Sequence, residues 1–235
     1  MLRQLKRVIL DAADIVLPRQ CAVCGATLGG GEPHICPACM TGLPRTFMHE
    51  RHFNAMEQLF AGKTPIERAT AFFYYERGSR YAAILHSLKY HSNPRIGEWL
   101  AARFANEISP SGFFDGIDAV VPVPLHFTKR ATRGYNQSEY IAKGIGRAAG
   151  IPVVRALVAT KPHPTQTRKG VYERMLNTQG IFALSAKHNF EGKHILLTDD
   201  VVTTGATLLA CAELINATVP GVKISAATLA AARLA

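Results

Sequence analysis

The stretch Ile195-Leu-Leu-Thr-Asp-Asp-Val-Val-Thr-Thr-Gly-Ala-Thr207 reads as a strand, an acidic pair, a hydroxyl-rich turn and the first residues of a helix. Residues 194–198 are short and mostly apolar, the pattern of a buried strand. Asp199 and Asp200 stand at its end. Gly205 lets the backbone turn and approach a ligand closely. Thr203, Thr204 and Thr207 bring hydroxyl donors, and Ala206 opens a helix whose first N–H groups favour an anion. Ligands of open α/β sheets bind at the carboxyl ends of strands. The arrangement therefore suits a phosphate at residues 203–207. The two carboxylates suit sugar hydroxyls, met directly or through a magnesium ion. Taken singly, these residues would also fit an ordinary acidic turn before a Thr-capped helix.

Outward from this turn, the pattern is α/β. Residues 71–75, 119–123, 153–158, 180–184 and 223–230 read as further strands. Residues 81–88, 94–108, 136–149 and 206–217 read as helices, the second with Pro94 at its start. Strands alternating with helices predict a mainly parallel sheet with helices on its faces. Residues 45–68 show no clear period. Two parts are expected: residues 1–60, a helix, a cysteine module and a connector, and residues 61–235, the α/β domain.

The chain has 235 residues, 48% hydrophobic and 19% charged, enough for one domain with a sizeable core plus a small module. No apolar run has the length of a membrane span. Residues 2–17 predict an amphipathic helix; Asp11 and Asp14 interrupt its apolar part, so it is not read as a signal peptide, and a cytoplasmic location is expected. The net charge is +10, and residues 121–180 hold ten basic residues against two acidic ones. Such a segment calls for an anionic partner, a phosphorylated small molecule or a nucleic acid; a solvated basic face is the alternative.

Cys21-Ala-Val-Cys24 and Cys36-Pro-Ala-Cys39 are two C-x2-C pairs. Each pair can turn two thiolates to one point, and four soft ligands in a tetrahedron suit a structural zinc ion. Two disulfides or four free thiols are the other readings, and the lack of a secretion signal disfavours disulfides. His34 is a neighbour outside the ligand set, and Cys211 is expected to be a small core residue.

Val121-Pro-Val-Pro-Leu-His126 ends one strand, and Thr128-Lys-Arg-Ala-Thr-Arg-Gly-Tyr-Asn-Gln137 leads into a helix. Lys129, Arg130, Arg133, Asn136 and Gln137 are candidate contacts for pyrophosphate or nucleic acid. Arg133 is the leading candidate for stabilising a leaving anion, because a guanidinium grips phosphate at two points. The alternative is a decorated helix start. Residues 161–174 form a long basic loop; Gln166, Arg168, Lys169 and Arg174, with Asn177 beyond it, would face pyrophosphate or a partner, or simply solvent.

The segment 195–207 resembles the PRPP motif (5-phosphoribosyl 1-pyrophosphate) of type I phosphoribosyltransferases: apolar residues, two acids, two variable residues, then T-x-G-x-T. That resemblance implies that Asp199 and Asp200 hold the ribose hydroxyls and that Thr203, Thr204, Gly205, Ala206 and Thr207 hold the 5-phosphate. It also implies a Rossmann-like sheet, a small hood over the site and Mg2+ as cofactor. The order of the four cysteines, Leu88-Lys-Tyr90, Val121-Pro-Val-Pro124, Arg133-Gly-Tyr-Asn-Gln137 and the acidic loop resembles the ComF family of competence proteins. Tyr135 stands where that family has Phe, and one cysteine cluster is present where a double zinc ribbon has two. The resemblance implies a role in DNA uptake during natural transformation, with single-stranded DNA in the cytoplasm and a helicase-like competence protein as partners. Three functions follow: a phosphoribosyltransferase, a single-stranded DNA binder reusing the fold, and a PRPP-sensing regulator. Spacing alone assigns no general base.

Overall fold

The computed structural model describes residues 18–29, 31–90, 93–160, 181–185 and 188–233. The expected helix over 2–17 and the basic loop with Gln166, Arg168, Lys169, Arg174 and Asn177 lie outside the described residues. A four-stranded, wholly parallel sheet forms the centre. Its strands are β1 (Ala69–Tyr75), β2 (Ala119–Pro122), β5 (His194–Val202) and β6 (Lys223–Ala232), in the order β1-β6-β5-β2. β3 (Leu157–Ala159) and β4 (Phe182–Leu184) make a separate antiparallel pair. Parallel strands covered on both faces must be apolar nearly throughout. Accordingly Ile195, Leu196 and Leu197 of β5 are fully buried, as are Ala226, Ala227 and Leu229 to Ala231 of β6.

The helices are α1 (Pro37–Thr41), α2 (Ala55–Gln58), α3 (Ala82–Tyr90), α4 (Arg95–Ile108), α5 (Phe127–Arg133), α6 (Gln137–Ala149) and α7 (Ala206–Thr218). One face of the sheet packs on α3, α4 and α6 and on the cysteine module, with Phe72, Leu88, Leu100, Phe104, Ile141 and Leu196 at its centre. The other packs on α7, β4 and the 45–68 connector through Met56, Phe60, Leu197, Leu208 and Ile215. No helix of the described residues is long and apolar enough to cross a membrane.

Three expectations change. β5 runs on to Val202, so both acids belong to the strand, and Asp199 is registered with Thr228 of β6. Residues 153–158 are not a continuous strand. Val153 makes one parallel bridge to Val120, and only Leu157–Ala159 pairs further, with β4. Pro152 has no N–H to give, and Arg155 leaves the sheet to bind Glu139 at 2.7 Å. The connector is ordered: Asn54 and Glu57 form a reciprocal cap, Asn54 Nδ2 donates to Ala69 O (2.9 Å), and Glu57 pairs with Arg68 (3.2 Å).

α4 and α6 lie close because Gly144 has no side chain. A Cβ there would strike the Glu98 carbonyl oxygen and come within 2.8 Å of Ala101 Cβ. Gly→Ala in a helix interior normally gains up to about 1 kcal/mol, but this contact is with backbone, which cannot swing aside. Gly144→Ala is expected to destabilise by about 1–3 kcal/mol and lower the thermal midpoint by several degrees. An unchanged or raised midpoint would mean that the helices have room to separate.

Candidate functional site

Asp199 and Asp200 sit at the carboxyl end of β5. They line a cavity of about 220 Å³ with the segment following β2, the start of α6, Thr207 and the β3–β4 pair. Each carboxylate has its own support. Ser138 Oγ and the Asp200 N–H both donate to Asp199 Oδ1, each at 2.8 Å. Lys89 Nζ lies 3.0 Å from Asp200 Oδ2. Burial, and then the charge of Asp200, push the Asp199 carboxyl up to about 7 against the opposing pull of these donors and Lys89. Burial works against the Lys89 ammonium, but Asp200 and then Asp199 outweigh it and hold its pKa above the usual lysine value.

Neighbouring residues set this geometry. Asn136 caps α6 by accepting the Ser138 N–H (3.2 Å) and ties the cap to β2's exit by donating to Val123 O (2.9 Å). That tether delivers Ser138 to Asp199. Tyr135 donates to Leu88 O (2.6 Å), fixing the end of α3 that carries Lys89. Gly205, at φ +73°, precedes α7; a side chain there would meet Leu59 at 3.0 Å as well as an unfavourable backbone.

The predicted residues divide. Lys129, Arg133, Asn136, Gln137 and Thr207 line the cavity with the two acids. Arg133 donates to Gln137 Oε1 (3.3 Å), and its guanidinium lies 5.5 Å from the centre of the Tyr90 ring. Burial, with Arg133 and Lys89 nearby, pushes the Lys129 ammonium down. Arg130 is not brought there; it turns to Glu139 (3.8 Å) in a separate groove. Thr203 faces a neighbouring cleft, while Gly205 and Ala206 supply the turn and the first helical residue. Sequence reasoning gave no role to Ser138, Lys89 or His126. The signal for Lys89 was the one lysine of a helix rich in apolar residues, beside the buried Leu88.

His126 and Gln137 line the cavity, are each 3% exposed, and each holds a buried nitrogen, Nε2, without a hydrogen-bond partner among the described residues. The Thr128 N–H donates to His126 Nδ1 (3.3 Å). In that tautomer Nε2 carries the proton, so both orphans are donors, and a buried donor without a partner costs about 1–3 kcal/mol.

The four cysteine sulfurs, Cys21, Cys24, Cys36 and Cys39, lie within 4.8 Å of one another. Cys24 and Cys36 Sγ are 3.8 Å apart, close to the tetrahedron edge of roughly 3.8 Å that zinc–sulfur bonds of about 2.3 Å require. Gly25, at φ +74°, turns the first knuckle, and Ala22 N–H to His34 O (2.9 Å) sets the second against it. Burial raises the Cys21 thiol, but backbone N–H groups, led by that of Cys36 at 3.4 Å, outweigh it and bring it down to about 6, whereas burial and the three neighbouring sulfurs push the Cys39 thiol up, so it is the sulfur geometry that fits the four to one ion. These features fit a thiolate ligand set for a metal ion. No cysteine is bridged, and Cys211 is a buried residue of α7. The His34 ring packs on Trp99 (5.8 Å).

Asp199→Asn keeps an oxygen for both donors and deletes the crowded charge. With the folded-state carboxyl raised to about 7, the native state holds a proton that the unfolded chain has lost above about pH 4. Wild-type stability therefore falls as pH rises towards 7. The variant's advantage in urea unfolding is expected to grow by about 1–3 kcal/mol between pH 5 and pH 8. A variant losing ground over that interval would overturn the assignment.

Among curated proteins, "Competence protein F" of Haemophilus influenzae is 35% identical over 94 residues, 39% of this chain and 41% of that protein, so the match spans less than half of that relative. "DNA utilization protein YhgH" of Escherichia coli is 26% identical over 199 residues, 83% of each chain. The crystal structure of an adenine phosphoribosyltransferase matches with a TM-score of 0.41 and 14% identity, over 77% of this chain and 91% of that one. The curated relatives bear out the resemblance to ComF-type competence proteins. A parallel sheet carrying the acid-turn-helix segment, with a four-cysteine module before it, is the type I phosphoribosyltransferase architecture expected from the sequence. Residues 100–234, more than half of the chain, match the model of the phosphoribosyl transferase domain, and the chain belongs to that family.

Proposed function

We propose that the chain binds PRPP with Mg2+ at the carboxyl ends of β2 and β5 and serves DNA uptake in the cytoplasm. The observation that carries this reading is the pair of orphaned donors, His126 Nε2 and Gln137 Nε2, in the same cavity as Asp199 and Asp200. Donors and cations on one wall and carboxylates on the other match a ligand with an anionic end and a hydroxylated end. Asp199 and Asp200 accept the ribose hydroxyls. The backbone and hydroxyls of Thr203, Thr204, Gly205, Ala206 and Thr207 hold the 5-phosphate. Arg133, Lys129, His126 and Gln137 receive the pyrophosphate and stabilise the charge it gains when its bond to C1 breaks. Asn136 orients the wall, and Lys89 stands against the Asp200 carboxylate at 3.0 Å. Mg2+, when bound, supplies charge that neutralises the pyrophosphate. Arg168, Lys169 and Arg174 are assigned to the same anion or to nucleic acid by resemblance to the family.

The cysteine cluster is a structural zinc site: four thiolates close the coordination shell. Residues 1–60 form the zinc module and connector, and residues 61–235 the phosphoribosyltransferase-like domain. The names of the relatives, which speak of competence and DNA utilization, support the DNA role, with a helicase-like competence protein as partner. A second reading, single-stranded DNA binding without transfer, is favoured by Phe127. It is 70% exposed on α5 beside Lys129 and Arg130 and offers a stacking face next to cations. A PRPP sensor without turnover would use the same cavity.

Calorimetric titration of Mg·PRPP is expected to give binding that weakens more than about tenfold in Asp199→Asn/Asp200→Asn. The variant's thermal midpoint confirms that it is folded. Because Asp199 accepts hydroxyls best when ionised, affinity should rise from pH 6 to pH 8 and lose that slope in Asp199→Asn. Absence of PRPP binding to the wild type would leave strand binding as the function, read as affinity that falls with salt.

Chelation is expected to release one zinc ion per chain and to lower the unfolding temperature, and Cys36→Ser to reproduce that loss. A chain that keeps its midpoint after metal removal would make the cluster a site without structural weight.

A further inference from the structure

Phe47 and Phe53 stand apart in two ways. Each has its backbone in the left-handed region, at φ 52° and 54°, and among the described residues they are the non-glycine positions that do. A bulky side chain is unfavourable there. Each also exposes its ring, to 48% and 66%, so burial does not offset the strain. The loop they bracket is nevertheless held firmly against β1, the edge strand at the opposite side of the sheet from β2. Pro44 to Thr46 run along that edge: the Tyr74 N–H donates to Pro44 O (2.8 Å) and the Thr46 N–H to Phe72 O (3.1 Å). Asn54 Nδ2 donates to Met48 O (3.1 Å) and Arg51 O (3.2 Å) as well as to Ala69 O. An Arg68 N–H donates to His49 O (2.7 Å). Two strained aromatic residues are thus fixed in place with their rings in solvent.

A hollow of about 340 Å³ belongs to the same surface. Met48, which adjoins Phe47, and Ala55, which follows Asn54, line it with Tyr74 and Arg233. None of these residues lines the Asp199/Asp200 cavity or the cleft beside it. Aromatic residues, methionine and arginine are enriched in protein–protein interfaces, and side chains held rigid before binding cost little to order. The exposed charge here is mostly positive. Arg51 and Arg233 are exposed and make no ion pair among the described residues, and His52 is exposed next to Arg51. Glu50 is the acid of the loop, 3.9 Å from His49 Nε2.

We propose that this surface docks a protein partner through a segment whose apolar side chain is flanked by carboxylates. The apolar side chain enters the hollow against Met48 and Tyr74, the two phenylalanine rings pack around it, and the carboxylates meet Arg51 and Arg233. Charge and shape select this occupant. A second copy using the same patch would set Arg51 and Arg233 against their own counterparts, and like charges brought together in an interface are costly. A lipid surface is flat and leaves the hollow unfilled. A nucleic-acid strand needs a track of cations along its backbone, which Arg51, Arg233 and Glu50 do not make. The surface shares no lining residue with the phosphoribosyl site, so the proposal goes beyond that function and does not depend on it.

The test uses the full-length protein, a fluorescein-labelled peptide Asp-Glu-Leu-Leu-Glu-Asp, and the variants Phe47→Gly, Phe53→Gly and Arg51→Glu. Glycine tolerates positive φ, so each glycine variant is expected to keep its thermal midpoint or raise it by about 1–4 °C. The wild type is expected to bind the peptide with a dissociation constant of about 1 mM or tighter, and all three variants about tenfold more weakly. Stability kept or gained while binding is lost separates docking rings from rings that serve the fold. A midpoint lowered by more than about 4 °C in either glycine variant overturns the proposal. So does peptide affinity that is equal in the variants, or absent from the wild type up to roughly 1 mM. Three further results would give the surface to another occupant and overturn it as well. They are a dimer in light scattering that Phe53→Gly disperses, co-sedimentation with phosphatidylcholine–phosphatidylglycerol vesicles that Phe53→Gly abolishes, and oligothymidylate binding that Phe53→Gly abolishes.

Discussion

Two carboxylates adjacent in a buried strand repel each other and lose hydration, and the surroundings of β5 are arranged around that cost. Asp199 is answered by neutral donors, Ser138 Oγ and the Asp200 N–H. Asp200 is answered by a full charge, Lys89 at 3.0 Å. The two solutions act unequally: dipoles leave Asp199 raised to about 7, whereas the ammonium sits directly on Asp200. Each support needs its own scaffold. Ser138 depends on the Asn136 cap and its bond to Val123 O, and Lys89 depends on a helix end fixed by Tyr135. The residues 133–137 that look in sequence like a phosphate loop therefore have a second task, which is to hold the acids where they are.

The same logic explains why a small metal module precedes the sheet. A module of some 25 residues cannot bury enough apolar surface to hold itself. Cys21, Leu28, Ile35, Cys39 and Leu43 instead share a core with Phe72, Leu85 and Phe104 of the main domain. The four cysteines gather the module's two knuckles to one point, and that shared core fixes its placement. Together they raise a wall at the carboxyl edge of β1, which the four strands alone would leave open.

How much of this was legible depended on whether a feature was local. The 194–202 strand, its turn and α7 were readable because apolar run, acids, glycine and helix follow each other in sequence. The two C-x2-C pairs were readable because ligand spacing is local too. The extension of β5 beyond Thr198 was not, since Asp199 is unfavourable in a strand and is kept there by β6 and Ser138. α5 escaped because it buries none of its residues and so shows no apolar period. Residues 153–158 looked like a strand from Val153, Val154 and Val158, but strand pairing belongs to the partner, and β2 offers Val153 only one bridge. Lys89 and His126 escaped for the same reason: each matters through a residue far away in the chain.

The charge excess of residues 121–180 acquires a narrower meaning in the fold. Its cations among the described residues are spread over different neighbours. Lys129 and Arg133 turn into the cavity, Arg130 and Arg155 share Glu139 at its back, and Arg147 pairs with Glu98 between α6 and α4 at 2.8 Å. Net charge in sequence thus overstates the field at the site, because part of it is spent on structural pairs. Among the described residues, the cations inside that face no carboxylate partner are one lysine already lowered by burial and one arginine engaged with Gln137 and the Tyr90 ring. On the proposed reading, a pyrophosphate at these described cations would need directed hydrogen bonds as well as Coulomb attraction. The buried neutral donors of His126 and Gln137 matter for that reason: they add directed bonds without adding to the repulsion among Lys89, Lys129 and Arg133.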